Sequence, residues 1–484
     1  MHDSYVFPEK QILNLAHDPP SERCLPPLDD TAGAPLTVEQ AAALLALAER
    51  SPEHRARVLT LAETRTSQVF GNRMTIFAPL YVSNYCRNTC LYCNNSAMND
   101  RQIRHRLTPE EFDAEVQALL VRGFTGIELV AGSDSTLGGN AVASLVHRAR
   151  QLGIRSVLAN VDAMEQSEYE LLVEAGLSSL VLFQETYDSA TYDRVHKPQT
   201  RKGDRIRRIT APDRAARAGI RHLGLGALLG LADWRWEFLS LVDHTTWLSD
   251  RYGCSISFCV PRMLPTDFTK DKMTPVAVSD QDLELLVAML RLARPAAGIA
   301  ISTRESREAR RRLMAVGGTS TSADSSTSVG GYAEAHGDVG QFPATSISLT
   351  ETIEDIIEIG KLPSFCTACS EDGVYGTDFE QFVRQSRLRQ ACELNALFSF
   401  ARFVSQKGDS QPRWMDQILG HLNTMPLDAA QRDLSFATIR RVLEGGEGNY
   451  FSPVSGRIEA LRQPDRMIGC REGNRESPRA ERSG

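Results

Sequence analysis

The sequence predicts an α/β fold, a TIM-like (β/α)8 barrel with a helical segment before it and a helical domain after it. Three observations predict this. Short apolar runs alternate with helical patterns from about residue 75 to residue 303, a rhythm that suits parallel strands joined by crossover helices. The flanking segments keep a helical period without that alternation. Three cysteines follow the first apolar run directly, at the strand end where such barrels carry their chemistry.

Residues 1–70 make the N-terminal helical segment. Thr37-Val-Glu-Gln40 has the form of a capping box and opens an alanine- and leucine-rich helix that runs to about Glu49. The barrel is expected over residues 71–345. Its first strand is the apolar run from Ile76 to Val82, broken by Ser83-Asn84. Thr108-Pro-Glu-Glu111 then caps a helix ending by Gly123. Further strands are predicted from Gly126 to Ala131, Arg155 to Val161, Ser179 to Phe183, His222 to Leu229, Ser255 to Val260 and Gly298 to Ser302, with helices between the earlier ones ending at Gly153 and Gly176. The stretch from Gly317 to Gly331 is so rich in Ser, Thr and Gly that its composition suggests a flexible linker. Residues 346–455 form the C-terminal domain, with helices from Thr350 to Gly360, from Cys392 to Val404 and from Ile439 to Leu443. Residues 456–484, polar and arginine-rich at the end, are expected to be an unstructured tail.

Composition narrows the function. A net charge of −7 gives no cause to expect nucleic acid or an anionic membrane as partner. No run approaches the roughly 18 apolar residues of a membrane helix, and Met1-His-Asp-Ser lacks the basic and then apolar start of a secretory signal. The expected location is the cytoplasm and the expected partner a small molecule. Ten cysteines in 484 residues are not a disulfide scaffold, and six of them fall in two triads, which in a reducing compartment points to metal.

The first triad is Cys86-Arg-Asn-Thr-Cys90-Leu-Tyr-Cys93. Thiolates are soft donors suited to iron-sulfur clusters, and three of them leave one iron of a [4Fe-4S] cube open. An open iron can chelate the amino and carboxylate groups of S-adenosylmethionine and pass on the electron that cleaves its sulfonium. A zinc site competes, although it normally shows a fourth Cys or His nearby. Tyr92 suits a platform for adenine and equally a packing role. The second triad is Cys366-Thr-Ala-Cys369 together with Cys392, 23 residues on. The CxxC alone suits a zinc half-site or a redox pair, whereas three thiolates without a histidine favour a cluster.

Longer motifs carry a resemblance. They are Phe77-Ala-Pro-Leu-Tyr-Val-Ser-Asn-Tyr-Cys86, Leu182-Phe-Gln-Glu-Thr-Tyr187, Gly224-Leu-Gly-Ala-Leu-Leu-Gly230, Val260-Pro-Arg262, Ser302-Thr-Arg-Glu305 and Pro363-Ser-Phe-Cys-Thr-Ala-Cys369. Over roughly residues 7–451 the chain resembles the radical S-adenosylmethionine aromatic amino-acid lyases. These include the tyrosine lyase of thiamine synthesis, the tryptophan lyase and, most similar, the HydG family of tyrosine lyases that mature [FeFe]-hydrogenase. The resemblance implies a radical S-adenosylmethionine barrel in which Cys86, Cys90 and Cys93 hold the [4Fe-4S] cluster. It implies that Arg304 grips the substrate carboxylate, that Tyr81 contacts the substrate's amino or aromatic group, that Gln184 and Glu185 touch S-adenosylmethionine or substrate, and that Arg208 points toward the methionine carboxylate of S-adenosylmethionine. The implied reaction cuts the Cα–Cβ bond of tyrosine to give p-cresol and dehydroglycine. Cys366, Cys369 and Cys392 then imply a second iron-sulfur cluster, with or without an extra iron, where dehydroglycine becomes carbon monoxide and cyanide. Implied partners are tyrosine or another aromatic amino acid, an electron donor such as ferredoxin or flavodoxin, and other cofactor-maturation proteins. The alternative is an enzyme similar to 2-iminoacetate synthase or tryptophan lyase, which makes neither carbon monoxide nor cyanide.

The chain departs from the family pattern at several positions. Ser133 stands where relatives carry a glutamate for the adenosylmethionine amine, with Asp134 as the nearest substitute. Ser322-Ala-Asp-Ser-Ser-Thr327 lacks a glycine and an arginine of the family motif, and Ser370-Glu371 replaces Tyr-Arg after the second CxxC. No histidine precedes Val260-Pro-Arg262 to hold an extra iron, although Cys254 and Cys259 offer thiolates there. Ala232-Asp-Trp-Arg-Trp236 is closer to the thiamine-pathway lyase. The chain is thus expected to be a divergent member.

Overall fold

Odd and even residues of the first strand have different fates, and the whole barrel repeats the pattern. In β1 (Arg73–Ser83) the even positions Met74, Ile76, Ala78, Leu80 and Val82 are buried outward in the apolar core, while Thr75, Phe77, Pro79 and Tyr81 face a central cavity. This is the period of two that a strand imposes. The computed structural model describes residues 4–460 except 29–33, 385–386, 408–411, 447–448, 453–454 and 456. The tail expected over 456–484 thus lies almost wholly outside the described residues.

Seven more strands follow, β2 (Gly126–Ala131), β3 (Ser156–Asn160), β4 (Ser179–Glu185), β5 (His222–Ala227), β6 (Ser255–Cys259), β7 (Gly298–Ile301) and β8 (Ser320–Ser322). They pair in parallel in chain order, β8 pairs with β1, and β1 closes onto β2. The expected (β/α)8 barrel is therefore present. Outward residues such as Ile127, Leu129, Val157, Leu223, Phe258 and Ile299 pack on the helical shell. Inward positions are mostly small or polar, among them Ser156, Ser179, Gly224, Ser257, Gly298, Ala300 and Ser320. Barrels of this class usually fill the interior with layers of bulky branched side chains. Here the small residues leave a cavity of about 450 Å3 running along the barrel axis.

A ninth strand, β9 (Leu362–Ser364), was not legible as one. It pairs with the lower half of β1, Arg73 to Thr75, while β2 pairs with the upper half from Ala78 onward. The Thr125 hydroxyl donates to the Phe365 carbonyl at 2.8 Å just below β2. The residues after β9 are thereby delivered to the lower mouth, the end from which the strands start.

The helices form for the reasons their sequences suggest. Both halves of the capping boxes at Thr37/Gln40 and Thr108/Glu111 are made, opening the helices Val38–Arg50 and Pro109–Val121. The C-terminal helices among the described residues are Leu349–Glu358, Ala368–Asp372, Gly376–Arg384, Arg387–Lys407, Pro412–Thr424 and Ala429–Leu443. Arg387–Lys407 packs on β9 and on the N-terminal helix Pro52–Phe70. The linker suggested by composition over Gly317 to Gly331 is instead ordered. It contains β8, whose Thr321 hydroxyl donates to the Ile301 carbonyl and accepts from Arg310, so that hydroxyl is satisfied inside the sheet. Among the described residues no helix is long and apolar enough to cross a membrane.

Candidate active site

The loop after β1 is built around one guanidinium. Arg104 donates to the carbonyls of Asn84 (2.6 Å), Asn95 (2.9 Å), Ser96 (2.6 Å) and Asn99 (3.2 Å), which turns the loop back on itself and holds Cys86, Cys90 and Cys93 toward the cavity. The Ser133 backbone N–H points at the Cys86 sulfur (3.4 Å) and the Gln341 amide at the Cys93 sulfur (3.7 Å). Burial pushes the Cys90 thiol up to about 12 and also raises Cys93, so bare thiolates are disfavoured here. A cationic iron centre would reverse that, and the sulfurs already have N–H donors to share. The donor set therefore fits an iron-sulfur cluster. A tetrahedral zinc would bring its sulfurs to about 3.8 Å from one another, given a Zn–S bond of about 2.3 Å. Among the described residues the one group of three ligating side chains with all donor atoms within 4.8 Å is His105, Glu111 and His336, and neither cysteine triad is that compact.

Around this loop the upper mouth carries a ring of polar side chains. The Arg304 guanidinium lies over the Phe342 ring, 3.5 Å from its centroid, and makes no side-chain hydrogen bond among the described residues. Its two acidic neighbours are engaged elsewhere, Glu305 with Arg262 and Glu308 with Arg312. Burial lowers the Arg304 pKa, partly offset by Tyr81 and Glu185. Tyr81 donates from its hydroxyl to Gln341 Oε1 at 2.8 Å, and burial raises its pKa well above the usual range. The Tyr92 hydroxyl lies 2.7 Å from His196 Nε2, and Lys202 sits over the Tyr92 ring.

Glu185 owes its position to a register shift. Between Phe183 and Glu185 the β4–β5 ladder bulges, and Glu185 takes a left-handed φ of +72°. Such a backbone is uncommon for a residue with a side chain and is found where an element is re-aimed. The result turns the Glu185 carboxylate into the cavity, where Lys202 Nζ meets it at 2.5 Å. Gln184 consequently faces the other way. It is buried but does not line the cavity, and its Nε2 has no hydrogen-bond partner among the described residues. Arg208 lines the cavity and donates twice to the Phe183 carbonyl (2.9 and 2.7 Å), with Asp162 3.7 Å away.

Ser133 and Asp134 separate. The Ser133 hydroxyl donates to Asp162 (2.6 Å) at the cavity wall. Asp134 is turned away, its carboxylate taken up by Arg106 (2.6 and 2.8 Å), Ser83 (2.7 Å) and Thr136. The acid that faces the cavity beside Ser133 is Asp162. Burial works to raise its pKa, but Arg208, Ser133 and Arg201 together hold it below the usual carboxylate range. Sequence reasoning missed Asp162, in a loop, and Lys202, in the three-residue 3-10 turn Arg201–Gly203, both segments too short to carry periodicity. It also missed Glu128, which strand parity could have found. Burial pushes Glu128 up to about 7, with Asn160 donating to it at 3.0 Å.

The lower mouth holds the second triad. Cys366, Cys369 and Cys392 line the same cavity as the first three cysteines. The Ala368 N–H points at the Cys366 sulfur (3.4 Å), and the loop is tied to the barrel by Ser370 with Ser156 (3.4 Å) and by the Gly376 N–H to Ser255 (2.6 Å). Of the two thiols considered near Val260-Pro-Arg262, Cys259 lines the cavity, while Cys254 is buried outside it with its sulfur toward the Ile220 carbonyl. An imidazole does reach the lower mouth from another strand. His222, the first residue of β5, lines the cavity and stacks near Tyr375, with no hydrogen bond to its ring among the described residues.

Comparison with known proteins agrees with this geometry. Residues 80–242 match the Radical SAM superfamily model, and residues 259–362 match the Biotin and Thiamin Synthesis associated domain. The chain is 35% identical to the 2-iminoacetate synthase of Escherichia coli K12 over 284 residues, 58% of this chain and 74% of that one. The crystal structure of HydG, a maturase of the [FeFe]-hydrogenase, superposes with a TM-score of 0.86 at 32% identity, covering 92% of this chain and 99% of that one. HydG from Carboxydothermus hydrogenoformans gives 0.74 at 29% identity, covering 90% and 94%.

Proposed function

Because the chain belongs to the radical S-adenosylmethionine superfamily, in the family of 2-iminoacetate synthase and HydG, we propose that it cleaves the Cα–Cβ bond of tyrosine at the upper mouth and converts the released dehydroglycine at the lower one. The observation that carries this is the single cavity lined by both cysteine triads. A cluster held by Cys86, Cys90 and Cys93 would supply reductive cleavage of S-adenosylmethionine and so radical chemistry on the amino acid, and one held by Cys366, Cys369 and Cys392 would supply an iron site for the released fragment.

The chain's own residues hold the reactants. Arg304, its guanidinium free of hydrogen bonds among the described residues and backed by Phe342, presents a planar fork to the amino-acid carboxylate. Tyr81, fixed by Gln341, faces the same space and contacts the substrate. Tyr92, Glu185 and Arg208, with Asp162 and Lys202 now added to them, form the wall against S-adenosylmethionine. Cys366, Cys369 and Cys392, in the helical region 346–455, hold the second cluster. Electrons come from an external carrier such as a ferredoxin or flavodoxin, and other maturation proteins receive the product.

The test is to incubate the anaerobically reconstituted, reduced protein with S-adenosylmethionine and each aromatic amino acid, and to analyse products by mass spectrometry. Tyrosine should give p-cresol and 5'-deoxyadenosine together. Absence of 5'-deoxyadenosine with every amino acid would refute the proposal. A second reading is favoured by the likeness to 2-iminoacetate synthase. It predicts p-cresol with dehydroglycine released and no cyanide.

A further inference from the structure

Away from both cysteine triads, three side chains from three chain segments meet on the flank of the upper mouth. His105 lies between the cluster loop and the helix Pro109–Val121, Glu111 is in that helix's first turn, and His336 is on the loop that crosses the mouth after β8. Each offers one ligand atom, and these atoms all lie within 4.8 Å of one another. His105 Nε2 is 3.0 Å from Glu111 Oε2, and the His105 and His336 rings stack with centroids 4.0 Å apart and an interplanar angle of 24°. The His336 ring makes no hydrogen bond among the described residues. All three are partly buried.

We propose that His105, Glu111 and His336 form a binding site for a divalent transition-metal ion of the zinc class, which clamps the loop over the mouth onto the cluster-bearing segment. Two imidazoles and one carboxylate are the donors such ions take, whereas magnesium and calcium want oxygen throughout. Two imidazoles stacked at 4.0 Å repel if both are protonated, whereas a shared metal ion would bind two neutral rings and the carboxylate together. Binding would take the place of the hydrogen bond between His105 Nε2 and Glu111, the neutral imidazole carrying its one proton on Nδ1. Small side-chain rotations suffice, since ligands about 2.0–2.2 Å from the metal sit somewhat closer together than 4.8 Å.

The site matters through what the loop carries. Val329 pairs with Tyr81, and three successive N–H groups, of Tyr332, Ala333 and Glu334, converge on the Glu115 carboxylate. Asp338 takes the Asn84 amide (3.1 Å), and Gln341 ends the loop between the Tyr81 hydroxyl and the Cys93 sulfur. His336 stands between these two anchorages. A metal ion there joins the loop to the helix that leaves the cluster loop, so that Gln341 is held from both sides.

The experiment uses the full-length, cluster-loaded protein, dialysed against micromolar Zn2+ and then against metal-free buffer, with zinc and iron measured on the same sample. The wild type should retain one zinc per chain more than His105→Ala/His336→Ala at equal iron, and zinc should raise its Tm but not that of the variant. His336→Gln alone, on the outer loop, serves as the milder control and should also lose the zinc. Equal zinc in wild type and variants, or zinc that falls only in step with iron, would overturn the site.

Discussion

Arg304 is a cation on an aromatic face, with Tyr81 and Glu185 as its electrostatic neighbours and no acid paired to it among the described residues. If its fork takes the substrate carboxylate, Arg304→Lys keeps the charge but loses the two parallel bonds and the stacking. Hydrogen bonds to charged groups are worth about 1.5–3 kcal/mol, so kcat/KM for tyrosine should fall about ten- to a hundredfold, mostly in KM, as steady-state p-cresol formation would show. Glu128 offers a second check at this scale. Its folded pKa, about 7, stands above the roughly 4.3 of an unfolded glutamate. The folded protein therefore holds this proton more tightly than the unfolded one, and the carboxyl's contribution to stability declines as pH rises from about 4 to about 7, then levels off. Glu128→Gln removes that dependence. Urea melts should show the variant gaining on wild type between about pH 5 and about pH 8, with little difference below. Two residues expected at the site, Gln184 and Asp134, turn away from the cavity for local reasons, a bulge that reverses facing in one and pairing with Arg106 in the other.

At the scale of elements, the lower-site loop depends on a close approach. Gly376 has φ +61°, and a Cβ there would stand 1.7 Å from the Gly253 carbonyl oxygen. No side-chain adjustment relieves a clash with backbone. Gly376→Ala should therefore keep the segment after β9 from docking on Ser255. Iron analysis should then fall from about eight per chain toward about four, the content of one cube, while 5'-deoxyadenosine formation persists. Most elements were legible because their burial follows period. The runs at Ile76, Gly126, Ser179, His222 and Gly298 became strands within a few residues of their predicted ends. β8 escaped because Ser320-Thr-Ser322 satisfies hydroxyls rather than burying apolar surface, and β9 because three residues carry no periodicity. The first cysteine triad was legible from its spacing, whereas Cys392 joined the second only through the family resemblance. That the two triads face one cavity was not legible, since it depends on which small residues point inward.

For the whole molecule, the open barrel axis is the feature that distinguishes two sites from one pathway. Filling it at mid-height should separate the two halves of the reaction. Ser257, inward on β6, is the place. Ser257→Leu should leave p-cresol formation near wild type while cyanide falls severalfold, an effect read by quantifying both in one assay. The central claim is that the fragment made at Cys86, Cys90 and Cys93 is consumed at Cys366, Cys369 and Cys392. The most direct test measures p-cresol and cyanide from tyrosine in wild type and in the Cys366→Ala/Cys369→Ala variant. Wild type should yield both, and the variant should yield p-cresol without cyanide, with about four irons. Equal cyanide from the two proteins, or none from the wild type with both clusters loaded, would contradict it.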